Sequence, residues 1–183
     1  NDYMGRLAAL GYRNQFFNLE VWMIEGELFL TEINPRAAHT YYYNYFFSYG
    51  NSLYQDNLLL AKDGKAPEVT PWQRWKSEDF QGLYTLIVLI TATQTGRVGD
   101  ILDYEYIHSL ESDGILIRHV REEEDVLKQS DMTAAGAQML QIWLTAPTAR
   151  EIVEKEIELR QNIYQQRTEI WDYTDYWKPE AWT

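Results

Sequence analysis

The chain contains no cysteine, so it can form no disulfide and offers neither a thiolate nucleophile nor a cysteine zinc site. That absence suits a cytoplasmic protein. Basic residues are also scarce: 16 Lys and Arg stand against 28 Asp and Glu, for a formal net charge of −12. Nucleic acid is disfavoured as a partner, because phosphate backbones are bound by clustered Lys and Arg, and anionic membrane surfaces are disfavoured on the same ground. A nucleotide is not excluded, since a divalent cation inverts the local electrostatics. Long hydrophobic runs are missing too. The longest apolar stretch, Leu83 to Ala92, includes Tyr84, Thr85 and Thr91 and falls far short of the ~20 residues a membrane-spanning helix needs. No signal-peptide pattern opens the sequence. What is present is 183 residues with 45% hydrophobic and 15% aromatic content, enough to bury a core and well clear of disorder.

The most informative run is Glu20-Val21-Trp22-Met23-Ile24-Glu25-Gly26-Glu27-Leu28-Phe29-Leu30-Thr31-Glu32-Ile33-Asn34-Pro35-Arg36. Apolar residues dominate both arms and Glu25-Gly26 is a turn signal between them, so the run predicts a β-hairpin. Folding it back brings Glu20 and Glu32 to similar heights on neighbouring strands. Glu32 and Asn34, two apart, share a face, and Arg36 continues that face if the strand persists past Pro35. Two carboxylates and an amide make an oxygen-ligand set of the kind that suits Mg²⁺ or Mn²⁺. A solvated face of an edge hairpin is the competing reading. It explains one Glu easily but the whole set poorly, because Glu and Asn are weak strand formers.

Leu10-Gly11-Tyr12-Arg13, then Glu20, then Glu32-Ile33-Asn34-Pro35-Arg36, resembles the last part of an ATP-grasp domain, as in biotin carboxylase, carbamoyl phosphate synthetase and the carboxylate-amine ligases. The resemblance implies an α+β fold: the C-terminal portion of an ATP-grasp fold, an antiparallel sheet with packed helices, followed by a small α+β subdomain. It implies that Glu32 bridges two magnesium ions beside ATP, that Glu20 and Asn34 complete the metal shell, and that Arg36 stabilises the carboxyl substrate or its acyl phosphate. Relatives often place Gly or Ser just after the Arg; here Ala37, Ala38, His39 and Thr40 follow, which makes His39 a candidate substrate contact. A structural histidine at a loop-to-helix junction is the alternative for His39. The implied activity is an ATP- and Mg-dependent ligase that activates a small carboxylate as an acyl phosphate for attack by an amine or similar nucleophile. A degenerate subunit that binds nucleotide without turnover, in a structural or regulatory role, is the second reading. An ATP-grasp enzyme also needs a glycine-rich loop and lysines over the phosphates, and only 19 residues precede Glu20. The sequence is therefore expected to be a fragment, inactive alone and completed by an N-terminal half in cis or as a separate chain.

The expected organisation is residues 1–65 as the end of the ATP-grasp domain, 66–80 as a connector, 81–168 as the α+β subdomain and 169–183 as an aromatic tail. The tail is expected to pack on the body or on a partner chain, a second copy included. Tyr3 to Leu10 reads as the end of a helix with Gly11 as its cap. The aromatic run Tyr41–Tyr49 reads as a buried helix on the sheet, closed by Gly50. Ser52 with Gln55 is a capping-box pattern for a helix to about Lys62, ending at Gly64. Farther on, Tyr84–Ile90 reads as a buried strand, with further strands over Arg97–Ile107, Gly114–Val120 and Gln138–Leu144. His108 and His119 read as solvent-facing strand positions, and Glu122–Asp125 as a solvated turn. Thr148 with Glu151 predicts a helix from Ala149 to about Arg167.

Overall fold

The computed structural model describes residues 3–12, 15–50, 52–64, 82–133 and 136–166. The chain divides into two compact units, Asn1–Gly82 and Leu83–Thr183. The expected connector and aromatic tail lie outside the described residues.

In the first unit, helix α1 (Tyr3–Ala9) ends in a Schellman motif. Gly11, at φ +94°, donates its N–H to the Ala8 carbonyl at 3.1 Å and Tyr12 donates to Leu7 at 3.0 Å, which satisfies carbonyls that the helix end leaves free. Strands β1 (Asn18–Ile24) and β2 (Glu27–Asn34) form the antiparallel hairpin. Glu25 and Gly26 link them at φ 52° and 82°, the two positive angles that a two-residue hairpin turn requires. A 3-10 turn over His39–Tyr41 leads into α2 (Tyr42–Tyr49), which Gly50 closes in the left-handed conformation. Helix α3 (Leu53–Asp63) starts where the Ser52 hydroxyl accepts the Gln55 N–H and stops at Gly64, as the sequence pattern predicts. Tyr42 stacks on Tyr54 with ring centroids 3.9 Å apart, and the Asn57 amide donates to the Tyr42 hydroxyl at 3.1 Å, joining α2 to α3.

The aromatic helix is not buried, contrary to expectation. No residue of α2 is buried, and Tyr43 and Phe46 are exposed. Near-continuous aromatics point all round a helix, and a small unit can cover only one side of it. Among the described residues of this unit, Leu53 and Leu60 are the buried hydrophobic side chains.

The second unit holds the main core. Its sheet has the order β3-β7-β5, antiparallel throughout, from β3 (Tyr84–Thr91), β5 (Leu116–His119) and β7 (Gln138–Ala146). Two-residue strands β4 (Gly96–Arg97) and β6 (Val126–Leu127) pair separately. The described residues of the unit also form helices α4 (Val98–Ile101), α5 (Tyr104–Ser112) and α6 (Ala149–Asn162). Val88 and Ile90 of β3, Leu140, Ile142 and Leu144 of β7, Ile107 of α5 and Ile152 and Leu159 of α6 share one buried cluster.

Three local expectations need correction. Among the described residues strand β3 is an edge strand, buried only at Val88 and Ile90 with Tyr84 and Leu89 exposed; a continuous apolar run does not distinguish a central strand from an edge. The most deeply buried strand is β7 at the sheet centre, with Gln138 and Thr145 half-buried and the rest buried. Arg97–Ile107 is not a strand but β4 followed by α4 and the start of α5. The alternation of Leu102, Tyr104 and Tyr106 imitates a strand, whereas Asp103 caps a helix by accepting the Tyr106 N–H at 3.0 Å, and Tyr104, Ile107 and Leu110 recur at helical spacing. Helix α6 begins on the Thr148 hydroxyl as expected but stops at Asn162, because the Ile163 carbonyl accepts the Asp103 N–H at 2.9 Å and Tyr164 bridges to Leu102. Among the described residues no helix is long and apolar enough to cross a membrane.

Candidate functional site

The hairpin sets Glu20 directly opposite Glu32, with Leu19 opposite Ile33 and Asn18 opposite Asn34. Both carboxylates are exposed and Asn34 is half-buried. The Asn34 amide donates from Nδ2 to Glu20 Oε1 at 3.2 Å, leaving its carbonyl oxygen free to serve as a ligand. The structure thus brings together the three oxygen-bearing side chains that the sequence singles out. Side chains directly opposite on an antiparallel pair stand with Cβ atoms about 4.5–5.5 Å apart, and like charges there repel. Without a counter-charge the arrangement costs stability; a divalent cation relieves it. Two carboxylates and an amide oxygen are hard donors of the kind magnesium and manganese prefer. Among the described residues no group of three or more His, Cys, Asp or Glu side chains is placed to hold a metal ion; the hairpin brings together two carboxylates and one amide.

Arg36 stands two residues beyond the strand. Strand β2 ends at Asn34, so Pro35 stops the ladder and Arg36 is placed by a bend rather than by strand alternation. Its backbone N–H donates to the Asn34 carbonyl at 2.8 Å, which turns the chain tightly after the strand. The guanidinium is exposed and donates to the Ala37 carbonyl at 3.4 Å; among the described residues it pairs with no carboxylate. It is thereby available to an anionic ligand. His39 opens the 3-10 turn three residues later.

A second cluster in the other unit escapes the sequence reading. Glu111 of α5 accepts from two imidazoles, His108 Nδ1 to Oε2 at 3.1 Å and His119 Nε2 to Oε1 at 3.0 Å. His108 lies on a helix and is not the strand residue expected; the misread helix concealed its i, i+3 relation to Glu111. Hydrogen bonds from His108 and then His119 hold the Glu111 carboxyl below its ordinary value of 4.5. The Tyr104 ring lies 5.9 Å from the His108 ring and 6.1 Å from that of His119. Burial, followed by the charges of Glu123, Glu122, Glu124 and Asp125, pushes its phenol up to about 12, and its buried hydroxyl has no hydrogen-bond partner among the described residues. The acidic run itself forms a turn: the Glu122 N–H donates to Asp125 Oδ2 at 2.9 Å, and Glu123 pairs with Arg97 at 3.3 Å.

No protein-family model matches this sequence, and no curated protein matches it. Solved structures match it in fold. Phosphoribosylglycinamide synthetase from Anaerococcus prevotii is similar with a TM-score of 0.58 and 21% identity, over 86% of this chain and 38% of that one. N5-carboxyaminoimidazole ribonucleotide synthetase from Thermotoga maritima is similar with a TM-score of 0.50 and 14% identity, over 81% of this chain and 36% of that one. The chain thus spans well under half the length of either. At these identities the likeness is one of fold, and the fold is the α+β architecture of ATP-grasp proteins.

Proposed function

We propose that this chain is the cation-bearing part of an ATP-dependent carboxylate-amine ligase, with Glu20, Glu32 and Asn34 as ligands to magnesium or manganese and Arg36 as the residue that meets the acid substrate. The observation that carries the reading is the direct opposition of two carboxylates, one of them held by the Asn34 amide. An ATP-grasp fold supports it, and so does the order of the four residues along the chain.

Magnesium, when bound, supplies charge neutralisation at the β- and γ-phosphates and alignment for in-line transfer. The chain's own residues do the rest of this portion of the work. Glu20 and Glu32 provide anionic oxygens at fixed separation. Asn34 restrains the Glu20 carboxylate and adds a neutral oxygen. Arg36 binds the substrate carboxylate and stabilises the negative charge that develops as the acid attacks the γ-phosphoryl group and ADP departs. An amine then displaces phosphate from the acyl phosphate. His39, three residues after Arg36 in the sequence, is the candidate further contact for the acid.

The nucleotide pocket requires a further polypeptide portion, and the hairpin supports that requirement. Trp22, Met23, Ile24, Leu28 and Phe29 are all exposed, an apolar surface of a kind that soluble proteins normally cover. In the complete protein, Glu32→Gln removes an anionic ligand while keeping the side chain's size. Turnover is expected to fall by about 10²-fold or more, as for other losses of a transition-state charge partner. A variant that retains more than about a tenth of wild-type turnover overturns the assignment.

A further inference from the structure

The spacing of the two carboxylates does not match the turn that joins their strands, and the mismatch identifies another residue of the site. The two-residue turn at Glu25-Gly26 pairs Ile24 with Glu27, Met23 with Leu28, Trp22 with Phe29 and Val21 with Leu30. Continued without interruption, that ladder would pair Glu20 with Thr31 and Leu19 with Glu32. Residues directly opposite share a face and successive residues alternate, so the two carboxylates would then stand on opposite faces of the hairpin. They do not, because the register shifts between Glu20 and Val21: Glu20 pairs with Glu32, and Thr31 is the extra residue left between the Leu30 and Glu32 pairs. Its hydroxyl donates to the Glu20 carbonyl at 2.8 Å, tying the bulged residue to the strand that carries the other carboxylate. Bulges of this kind re-aim a side chain at the cost of local pairing.

We infer that Thr31 is a positioning residue for the cation site: its bulge turns Glu32 onto the face of Glu20, and its hydroxyl fixes that register. The inference rests on the reading of the hairpin as a cation site. Thr31 needs no contact with the ion. Its side chain acts through the backbone of Glu20, while the Asn34 amide acts on the Glu20 carboxylate itself, so the two restraints reach the same ligand from different ends.

The test uses Mn²⁺ alone, titrated into the full chain and followed by the loss of the free-ion paramagnetic resonance signal. Four proteins are compared: the wild type, Thr31→Ser, Thr31→Val and a chain from which Thr31 is deleted. Cross-strand nuclear Overhauser contacts between Trp22 and Phe29 and between Met23 and Leu28 verify that the hairpin tip is intact in each. The wild type and Thr31→Ser are expected to bind within about 3-fold of each other, and Thr31→Val about 3- to 10-fold more weakly, the range for one lost hydrogen bond. Deletion of Thr31 joins Leu30 to Glu32 and lets the ladder run on with Glu20 still opposite Glu32, so the deletion is expected to bind within about 3-fold of the wild type, the bulge and the residue that needs it having gone together. Binding that Thr31→Val retains at the wild-type level, or that the deletion loses with its tip contacts intact, overturns the role of Thr31 and leaves the cation reading standing. An absence of saturable binding in the wild type overturns the cation reading, and this inference with it.

Discussion

At the scale of single residues, the clearest consequences lie where one group has too many partners or none. The buried Tyr104 hydroxyl has no hydrogen-bond partner among the described residues, so it contributes the desolvation cost of a polar group and no compensating bond. Replacing a buried unsatisfied polar group with an apolar one of the same shape is neutral to favourable. Tyr104→Phe is therefore expected to leave stability unchanged or to raise it by up to ~1 kcal/mol, as read from chemical denaturation; a clear loss would show that the hydroxyl has a partner. Glu111 is the opposite case, one carboxylate accepting from two imidazoles. Its folded pKa lies below the ordinary 4.5, so its contribution to stability is fully present above about pH 4.5 and is lost as pH falls through the lower folded value. A carbon-13 titration of the Glu111 carboxyl is expected to give a midpoint below 4.5, and that depression should shrink when His108, the larger cause, is replaced by alanine. An unshifted midpoint in the wild type would mean that neither imidazole holds the carboxylate in solution.

At the scale of elements, caps and turns carry information that hydrophobic period alone does not. Ser52 and Thr148 each accept an N–H three residues on, so Ser52→Ala and Thr148→Ala are each expected to cost about 0.5–2 kcal/mol, measured as a shift in the denaturation midpoint of the unit concerned. Those two helix starts were legible in the sequence because a cap is local chemistry: a hydroxyl at one position and a free N–H three residues later. The hairpin was legible for the same reason, through Glu25-Gly26. The first turn of α5 was not, because Asp103 is a cap that an alternating Leu102, Tyr104, Tyr106 pattern outweighs when read by period. The candidate site was half legible. Residue types and spacing named Glu20, Glu32 and Asn34, but the bulge at Thr31 that puts the carboxylates on one face is a property of the register, visible in sequence only as a turn centred half a residue away from the midpoint of Glu20 and Glu32. The Glu111 cluster was not legible, because His119 reaches it from another element.

At the scale of the whole molecule, apolar burial is distributed unequally. Every residue of the main buried cluster, from Val88 to Ile163, belongs to the second unit, whereas the described part of the first buries the hydrophobic side chains Leu53 and Leu60 and exposes much of its hairpin. Burial of apolar surface is the dominant favourable contribution to folding, at roughly 25 cal/mol per Å², and it must offset a backbone entropy cost of about 1–2 kcal/mol per residue. The second unit has an enclosed core to set against that cost, with helices α5 and α6 contributing to it. The first has an antiparallel pair of strands, which is marginal in water without a third strand or a covering layer. Residues 83–183 expressed alone are therefore expected to unfold in one cooperative transition, and residues 1–82 alone to show a broad, weakly cooperative one. Thermal scans followed by far-ultraviolet circular dichroism decide the matter. A sharp transition from 1–82 in isolation would mean that the hairpin and its aromatic helix stabilise themselves, and would remove the exposed apolar surface as support for a covering N-terminal half.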